Sequence, residues 1–252
     1  METLLCRTEG EKCKIKLNGR TINSTLKGVK CIMRKEEIKV LIACEESQAT
    51  CIEMRKRGYE AYSCDIQECS GGHPEWHICG DALKVINGKC TFHTMDGNYH
   101  KIEGTWDLLI AHPPCTHLAV SGARWFSEGF KPYSLQDEAA EFFMKFINSN
   151  AKRIAVENPV SVMSTRYRKP DQIINPWQFG HMEQKRTCLW LINLPKLKET
   201  DNVYDDMMKL PIKIRQRIHY TTGKDRSKIR SKTFPGIAKA FADQWGAIIE
   251  GD

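Results

Sequence analysis

Short apolar runs alternate with amphipathic segments from residue 38 to the end of this 252-residue chain. Apolar runs of about four to eight residues are typical of strands buried on both faces of a sheet. They predict strands over 39–44, 59–64, 76–79, 106–111, 153–156 and 187–192. Helical spacing of apolar residues predicts helices over 48–57 (with Ser47 as N-cap), 135–150 and 235–249. This alternation predicts an α/β fold, a mostly parallel sheet with helices on both faces.

Two further segments predict small β-hairpin insertions. Asn18-Gly19 lies within 14–23 and Asp96-Gly97 lies within 84–105, and both dipeptides favour two-residue turns. Patterning and composition then divide the chain into four parts. These are a basic N-terminal appendage (1–37), a core (38–194), a short basic segment (195–232) and a C-terminal helix that returns to the core (233–252).

Positive charge is concentrated in one stretch of the chain. The net charge is +7, but residues 209–232 alone carry nine Lys or Arg and one Asp, a local net of +8. The other 228 residues therefore sum to −1. Such a segment suits a phosphate backbone, with a solvated surface loop as the alternative.

Several protein classes are disfavoured by the sequence. No apolar stretch approaches the roughly 18 residues of a membrane span, and the N-terminus lacks the apolar run of a secretory signal, so we expect a cytoplasmic protein. The eleven cysteines include no C-x-x-C pair, which argues against a disulfide framework. A zinc site is conceivable from Cys64, Cys69, His73, His77 and Cys79, but their spacing fits no common zinc module, and we expect no metal.

Polar residues follow most of the predicted strands. Ligands bind outside the carboxyl ends of the strands in open parallel sheets, so these residues are the candidates for chemistry. They are Glu45, Glu46 and Ser47, then Asp65, Asp81, the PPC of 113–115 and the ENP of 157–159.

Cys115 is the candidate nucleophile. Two prolines precede it and stiffen its loop, and positive charge from Arg124, Arg186 or 209–232 is expected to lower the pKa of its thiol. His112 and His117 flank the loop, where they either help to ionise the thiol or only pack. A buried structural cysteine is the alternative for Cys115 itself.

Glu157 is the candidate acid. Desolvation at a strand end is expected to raise the pKa of its carboxyl so that it donates a proton near neutral pH, with a structural capping role as the alternative. A cysteine and a proton-donating glutamate together fit the activation of carbon 5 of a pyrimidine. The thiolate adds to carbon 6, the acid protonates nitrogen 3, and carbon 5 becomes nucleophilic.

Six short elements occur in an order that resembles one enzyme family. They are VLIAC (40–44) with Asp65 after the next strand, Gly80-Asp81, HPPCTHLAVSG (112–122), VENP (156–159), Gln184-Lys185-Arg186 and TFPGIAKAFADQWG (233–246). Over about 38–249 the chain resembles the cytosine carbon-5 DNA methyltransferases, and more narrowly a compact phage-borne member of that family.

The resemblance implies a Rossmann-like methyltransferase fold and a set of site residues. Cys115 would be the nucleophile, Glu157 the acid at nitrogen 3, and Arg186 the residue that holds the cytosine. S-adenosylmethionine would be bound by Ala43, Cys44, Glu45, Glu46, Ser47, Asp65, Ile66, Asp81, Pro113 and Phe234. DNA would be contacted by Ser121, Gln184, Arg215, Arg217, Lys224, Arg226, Lys228 and Arg230.

The chain departs from the family pattern at three places. Cys44 and Glu46 stand where the family has glycines, Cys188 replaces the last arginine of the Gln-x-Arg-x-Arg element, and 195–232 replaces a large sequence-reading domain. We therefore expect low sequence specificity and a target base that leaves the stack or lies in a single strand. The alternatives are a homologue that binds nucleic acid without methylating it, and an enzyme that uses RNA or a modified methyl donor.

Overall fold

Most of the predicted apolar runs are strands of one sheet. The computed structural model describes residues 35–251 and, for the backbone alone, three strands before them. The strands are β1 Arg7–Glu9, β2 Lys12–Leu17, β3 Arg20–Ser24, β4 Lys39–Ala43, β5 Glu60–Asp65, β6 His77–Cys79, β7 Cys90–His93, β8 Tyr99–Ile102, β9 Leu108–Ala111, β10 Ile154–Pro159, β11 Gln172–Ile174 and β12 Thr187–Ile192.

The helices are mostly short. They are α1 Ala49–Lys56, α2 Ala123–Ser127, α3 Ser134–Ile147, α4 Met163–Arg166, α5 Tyr204–Met208, α6 Ile212–Arg215, α7 Arg217–Tyr220, α8 Arg226–Ser231, α9 Pro235–Ala240 and α10 Gly246–Glu250. A π-helical turn, Phe241–Trp245, joins α9 to α10 and completes the predicted C-terminal helix. Among the described residues, none of these helices has the length and apolarity that a bilayer span requires.

Seven strands form the central sheet in the order β6-β5-β4-β9-β10-β12-β11. The first five are parallel, whereas β12 runs antiparallel to both β10 and β11. The predicted α/β fold with a mostly parallel sheet is thus confirmed. The chain order reverses between β4 and β9, so a crevice is expected at their carboxyl ends.

Helices cover both faces of this sheet, as predicted. Strand residues alternate between two apolar clusters, because successive side chains of a strand point to opposite faces. Leu41 packs in the cluster that contains Phe143 and Phe146 of α3. Val40 packs in the cluster of α1, α9 and α10, which includes Trp245.

Both predicted hairpins are present. β2 and β3 pair antiparallel with Leu17 opposite Arg20, although Asn18 and Gly19 themselves lie outside the described residues. β7 and β8 pair antiparallel around 94–98, where Thr94 accepts and donates backbone hydrogen bonds across the turn.

Two local predictions were wrong. Gln48 rather than Ser47 is the N-cap of α1, and the Glu45 carboxylate accepts the backbone N–H groups of Thr50 (2.8 Å) and Cys51 (3.2 Å) instead of a serine hydroxyl. The strand predicted to end at residue 156 continues to Pro159, because its last three residues pair with the first three of β12.

Candidate functional site

The register of two neighbouring strands brings a histidine and a glutamate together. Val156 of β10 lies opposite Ala111 of β9 in the parallel ladder, so the residues that follow, Glu157 and His112, are also neighbours. His112 Nδ1 lies 3.1 Å from Glu157 Oε2, and the two side chains are 8% and 17% exposed. His112 Nε2 is buried with no hydrogen-bond partner.

The two groups shift each other's pKa in opposite directions. Burial acts to raise the pKa of Glu157, but the hydrogen bond and charge of His112, helped by Lys185, outweigh it and lower that pKa. Burial acts to lower the pKa of His112, but Glu157, with a smaller effect from Glu45, raises it. The predicted rise in the pKa of Glu157 is therefore wrong for the unliganded protein, because His112 favours the carboxylate.

Cys115 lies on an exposed loop that is fixed to the sheet. The carboxamide of Asn158 donates a hydrogen bond to the carbonyl of Pro113 (2.9 Å), which ties the loop to β10. The Cys115 carbonyl accepts backbone hydrogen bonds from Leu118 (3.0 Å) and Ala119 (2.9 Å), closing a tight turn. The exposure of Cys115 argues against the alternative of a buried structural cysteine.

The pKa of the Cys115 thiol is raised rather than lowered, which corrects another prediction. Crowding of the thiol by protein atoms is the main cause although the residue is exposed, and the negative charge of Glu157 adds to it. Lys185 and Arg230 act in the opposite direction. Arg124 was expected to help, but it lies 3.2 Å from Glu128 instead.

Lys185, not Arg186, is the cation whose charge reaches the centre of the site. It affects the pKa of His112, Cys115 and Glu157, and its ammonium donates to the Arg230 carbonyl (2.8 Å). Arg186 is exposed and acts on the buried Cys188. The contact of Arg186 with a base stays a prediction.

The carboxyl ends of the parallel strands form one rim of the sheet. At the β4 end of this rim lies an unusual loop. Cys44, where glycine was expected, has a φ of 60°, a left-handed conformation that glycine adopts most easily. Glu45 is occupied in capping α1, whereas Glu46 is only 6% exposed and neither of its oxygens has a hydrogen-bond partner. The ammonium of Lys228 lies 3.7 Å from Glu46 Oε2.

Other predicted cofactor residues lie around this loop. The charges of Asp65 and Asp81 add to burial in raising the pKa of Cys44, so both carboxylates lie near the end of β4. Ile66 is 80% exposed, which is unusual for an aliphatic side chain at a strand end. Phe234 lies apart from them against Lys185, whose ammonium is 5.9 Å from its ring centroid.

The other residues predicted to bind the cofactor are Ala43, Ser47 and Pro113. Ala43 and Pro113 are buried, and Ser47 is half-buried. Ala43 is the last residue of β4, and Pro113 lies just after the adjacent strand β9. The backbone N–H of His112 donates to the Ala43 carbonyl (2.9 Å). Ala43 and Pro113 therefore lie where the topology predicts a crevice, at the carboxyl ends of β4 and β9.

The residues predicted to bind nucleic acid differ in their contacts within the protein. Gln184 binds the Arg215 carbonyl (2.6 Å) through its backbone, and Arg217 pairs with Glu183 (2.6 Å). These contacts attach the basic segment to the core. The side chains of Ser121, Lys224, Arg226 and Lys228 are exposed, and Arg215 and Arg230 are half-buried.

No group of three or more His, Cys, Asp or Glu residues in the described part of the chain is arranged to hold a metal ion. Two histidines weighed for a zinc site have other contacts. His77 bonds the Ser63 hydroxyl (2.8 Å) and the Gln67 carbonyl (2.9 Å), and His73 stacks on Trp76.

Comparison with known proteins identifies no relative. Models of known families do not match the chain, and a search of curated proteins finds no match.

Proposed function

We propose that the protein transfers a methyl group from S-adenosylmethionine to carbon 5 of cytosine in DNA. The observation that carries this proposal is the convergence of Cys115 and Glu157 at the carboxyl ends of adjacent parallel strands. Cys115 is exposed on a loop tied to β10, and the Glu157 charge reaches its thiol. A base between them would meet a nucleophile and an acid at once.

The chemistry assigns a separate task to each side chain. The thiol loses its proton to solvent, and its electron pair forms a bond to carbon 6 of the cytosine. His112 favours the carboxylate of Glu157 in the free protein, so Glu157 first takes a proton from solvent and then gives it to nitrogen 3, and no negative charge remains on the ring. Carbon 5 would then accept the methyl group of S-adenosylmethionine, which would leave as neutral S-adenosylhomocysteine. Carbon 5 would lose its own proton to water, the bond from carbon 6 to sulfur would break to release the thiolate, and nitrogen 3 would return its proton to Glu157.

The β4 end of the rim supports a cationic cofactor. S-adenosylmethionine supplies a methyl group on a positively charged sulfur and also carries an ammonium group. The buried carboxylate of Glu46 fits such a cation, since its oxygens accept no hydrogen bond and its ion pair with the exposed Lys228 is long, at 3.7 Å. Ile66 offers an exposed apolar surface for the adenine, and the crevice between β4 and β9 is where doubly wound sheets bind ligands.

The basic segment supports a polyphosphate substrate. Lys224, Arg226 and Lys228 are exposed beside the site, and such side chains neutralise phosphates without reading sequence. A base inside a duplex cannot reach Cys115, so the target cytosine must be extruded or single-stranded. Lys185 acts on both Cys115 and Glu157 and is assigned to hold this base, whereas contact of the exposed Arg186 with it stays a prediction.

Mass analysis of nucleosides tests the proposal. DNA from cells that produce the protein should contain 5-methylcytosine, whereas DNA from cells that produce Cys115→Ser should not. DNA with no modified cytosine in both cultures, or with equal modification in both, would refute the assignment.

One observation favours a second candidate, a homologue that binds nucleic acid without methylating it. The raised pKa of Cys115 makes its thiolate scarce at neutral pH. Calorimetry separates the candidates, since only the enzyme is expected to bind S-adenosylmethionine at millimolar concentration.

A further inference from the structure

We propose that His112 is the positioning residue that prepares Glu157 as a proton donor. This inference rests on the proposed function and deepens it, because the reaction described above gives His112 no task. His112 would hold one carboxyl oxygen of Glu157, turn the other toward the base, and stabilise the carboxylate that remains when the proton has gone to nitrogen 3.

The backbone register fixes the pair before any side chain is considered. The ladder of β9 and β10 places positions 112 and 157 side by side, just beyond the pair formed by Ala111 and Val156. The His112 backbone is itself held by the Ala43 carbonyl at 2.9 Å. His112 can therefore meet Glu157 without any rearrangement of the loop that carries Cys115.

The hydrogen bond defines which oxygen does what. His112 Nδ1 lies 3.1 Å from Oε2 of Glu157 and is the donor when Glu157 is a carboxylate, which has no proton to give. This contact leaves Oε1 to face nitrogen 3 of the cytosine. The hydrogen bond stabilises the carboxylate that remains after the transfer, so protonated Glu157 is a stronger acid toward nitrogen 3, although its protonated form is scarcer in the free protein.

The unpartnered Nε2 of His112 and the charges around its imidazole argue against a purely structural role. Its Nε2 is buried with no partner, a cost that a packing residue need not incur. Three charged groups act on the imidazole. Glu157 and Glu45 favour its charged form, and Lys185 opposes it.

Two substitutions separate this role from simple packing. His112→Phe fills the space without a donor, whereas His112→Asn retains a donor close to the position of Nδ1 but cannot titrate. We expect His112→Phe to lower kcat for methyl transfer by about 10–100-fold with KM unchanged, because one hydrogen bond to a charged group is lost. His112→Asn should recover most of that loss.

Nuclear magnetic resonance tests the pairing without any reaction. The imidazole of His112 should titrate above its ordinary value in the wild-type protein and at lower pH in Glu157→Gln. Titration of His112 at the same pH in both proteins would overturn the pairing, even if His112→Phe failed to fold. Equal kcat for the wild type, His112→Phe and His112→Asn would overturn the kinetic role.

Failure of the proposed function would look different. A wild-type protein that methylates no cytosine refutes the methyltransferase assignment and, with it, the kinetic role of His112. The titration would still decide whether His112 and Glu157 form a coupled pair.

Discussion

Two buried carboxylates on the same rim of the sheet have opposite surroundings. Glu157 lies on β10 beside the end of β9, and its Oε2 lies 3.1 Å from Nδ1 of His112. Glu46 lies on the loop after β4, its oxygens have no hydrogen-bond partner, and the ammonium of Lys228 lies 3.7 Å from its Oε2. One carboxylate is hydrogen-bonded within the protein, while the other has only a long ion pair with an exposed lysine.

The difference assigns separate tasks to the two halves of the rim. A buried charge without a partner costs stability, and it is retained where a ligand supplies the partner. A carboxylate that hydrogen-bonds a histidine has a lowered proton affinity, so its protonated form is a strong acid toward a bound base. The β4 half therefore suits cation binding, and the half formed by β9 and β10 suits proton transfer.

The largest expected effect comes from Glu157→Gln. The amide cannot give a proton to nitrogen 3, so methyl transfer should fall by about 10²–10⁴-fold, the usual contribution of a positioned acid. Affinity for S-adenosylmethionine should stay unchanged, because Glu157 belongs to the other half of the rim. Steady-state kinetics and calorimetry measure the two quantities, and loss of cofactor affinity would break the proposed division.

Glu46→Gln should have the reverse pattern. Removing the buried charge should raise the Kd for S-adenosylmethionine by about 10–100-fold, since a charged hydrogen bond contributes about 1.5–3 kcal/mol. The free energy of unfolding should change little, because the lost carboxylate accepts no hydrogen bond and its ion pair with the exposed Lys228 is long, at 3.7 Å. Glu45→Gln is the matched control and should destabilise the fold by about 1 kcal/mol, since Glu45 caps α1. Unchanged cofactor affinity in Glu46→Gln would contradict the assignment.

The pairing of His112 with Glu157 should also appear in the pH dependence of stability. The lowered pKa of Glu157 stabilises the fold above its ordinary value near 4.5 and ceases to do so as pH falls through the folded value. The raised pKa of His112 stabilises the fold below its ordinary value near 6.5, and that contribution is lost as pH rises through the folded value. Denaturant unfolding should therefore show the wild type exceeding Glu157→Gln by about 1–3 kcal/mol at pH 5.5, and by less at pH 8.5. A difference independent of pH would mean that the pair is not coupled.

Lys228→Ala should produce the smallest change. Loss of one phosphate contact should reduce the slope of log K against log salt by about 1 for DNA binding. Lys224→Ala is the matched control, because Lys224 is exposed in the same segment and should show the same slope change. Filter binding over a range of salt concentrations measures both. An unchanged slope in both variants would remove the basic segment from the DNA interface.

The six predicted strands and the mostly parallel sheet follow from the apolar runs in the sequence, whereas the strand order and the antiparallel β12 do not. Buried parallel strands consist of continuous apolar residues, and runs such as 39–44 and 106–111 have the length of a strand rather than that of a helix. β11 was missed because three residues, Gln172–Ile174, are too few to show a period. The short helices α6 to α8 were missed because each covers about one turn.

The candidate site was predictable in its members but not in its electrostatics. Strand ends pointed to Cys115 and Glu157, because ligands bind there in any open parallel sheet. The direction of each pKa shift depended on which charged groups face the side chain. Strand register and the alternation of side chains along a strand decide which groups those are. His112 and Lys185 show this, since their effects on Glu157 and Cys115 required the pairing of β9, β10 and β12.

The covalent bond between Cys115 and its base is the most direct test of the account. DNA that contains 5-fluorocytosine has no removable proton at carbon 5, so the adduct should remain trapped after methyl transfer. With S-adenosylmethionine present, mass spectrometry should show the wild-type protein joined to the DNA through Cys115, and Cys115→Ser should give the free protein alone. A trapped complex that persists in Cys115→Ser, or an adduct mapped to a different cysteine, would contradict the account.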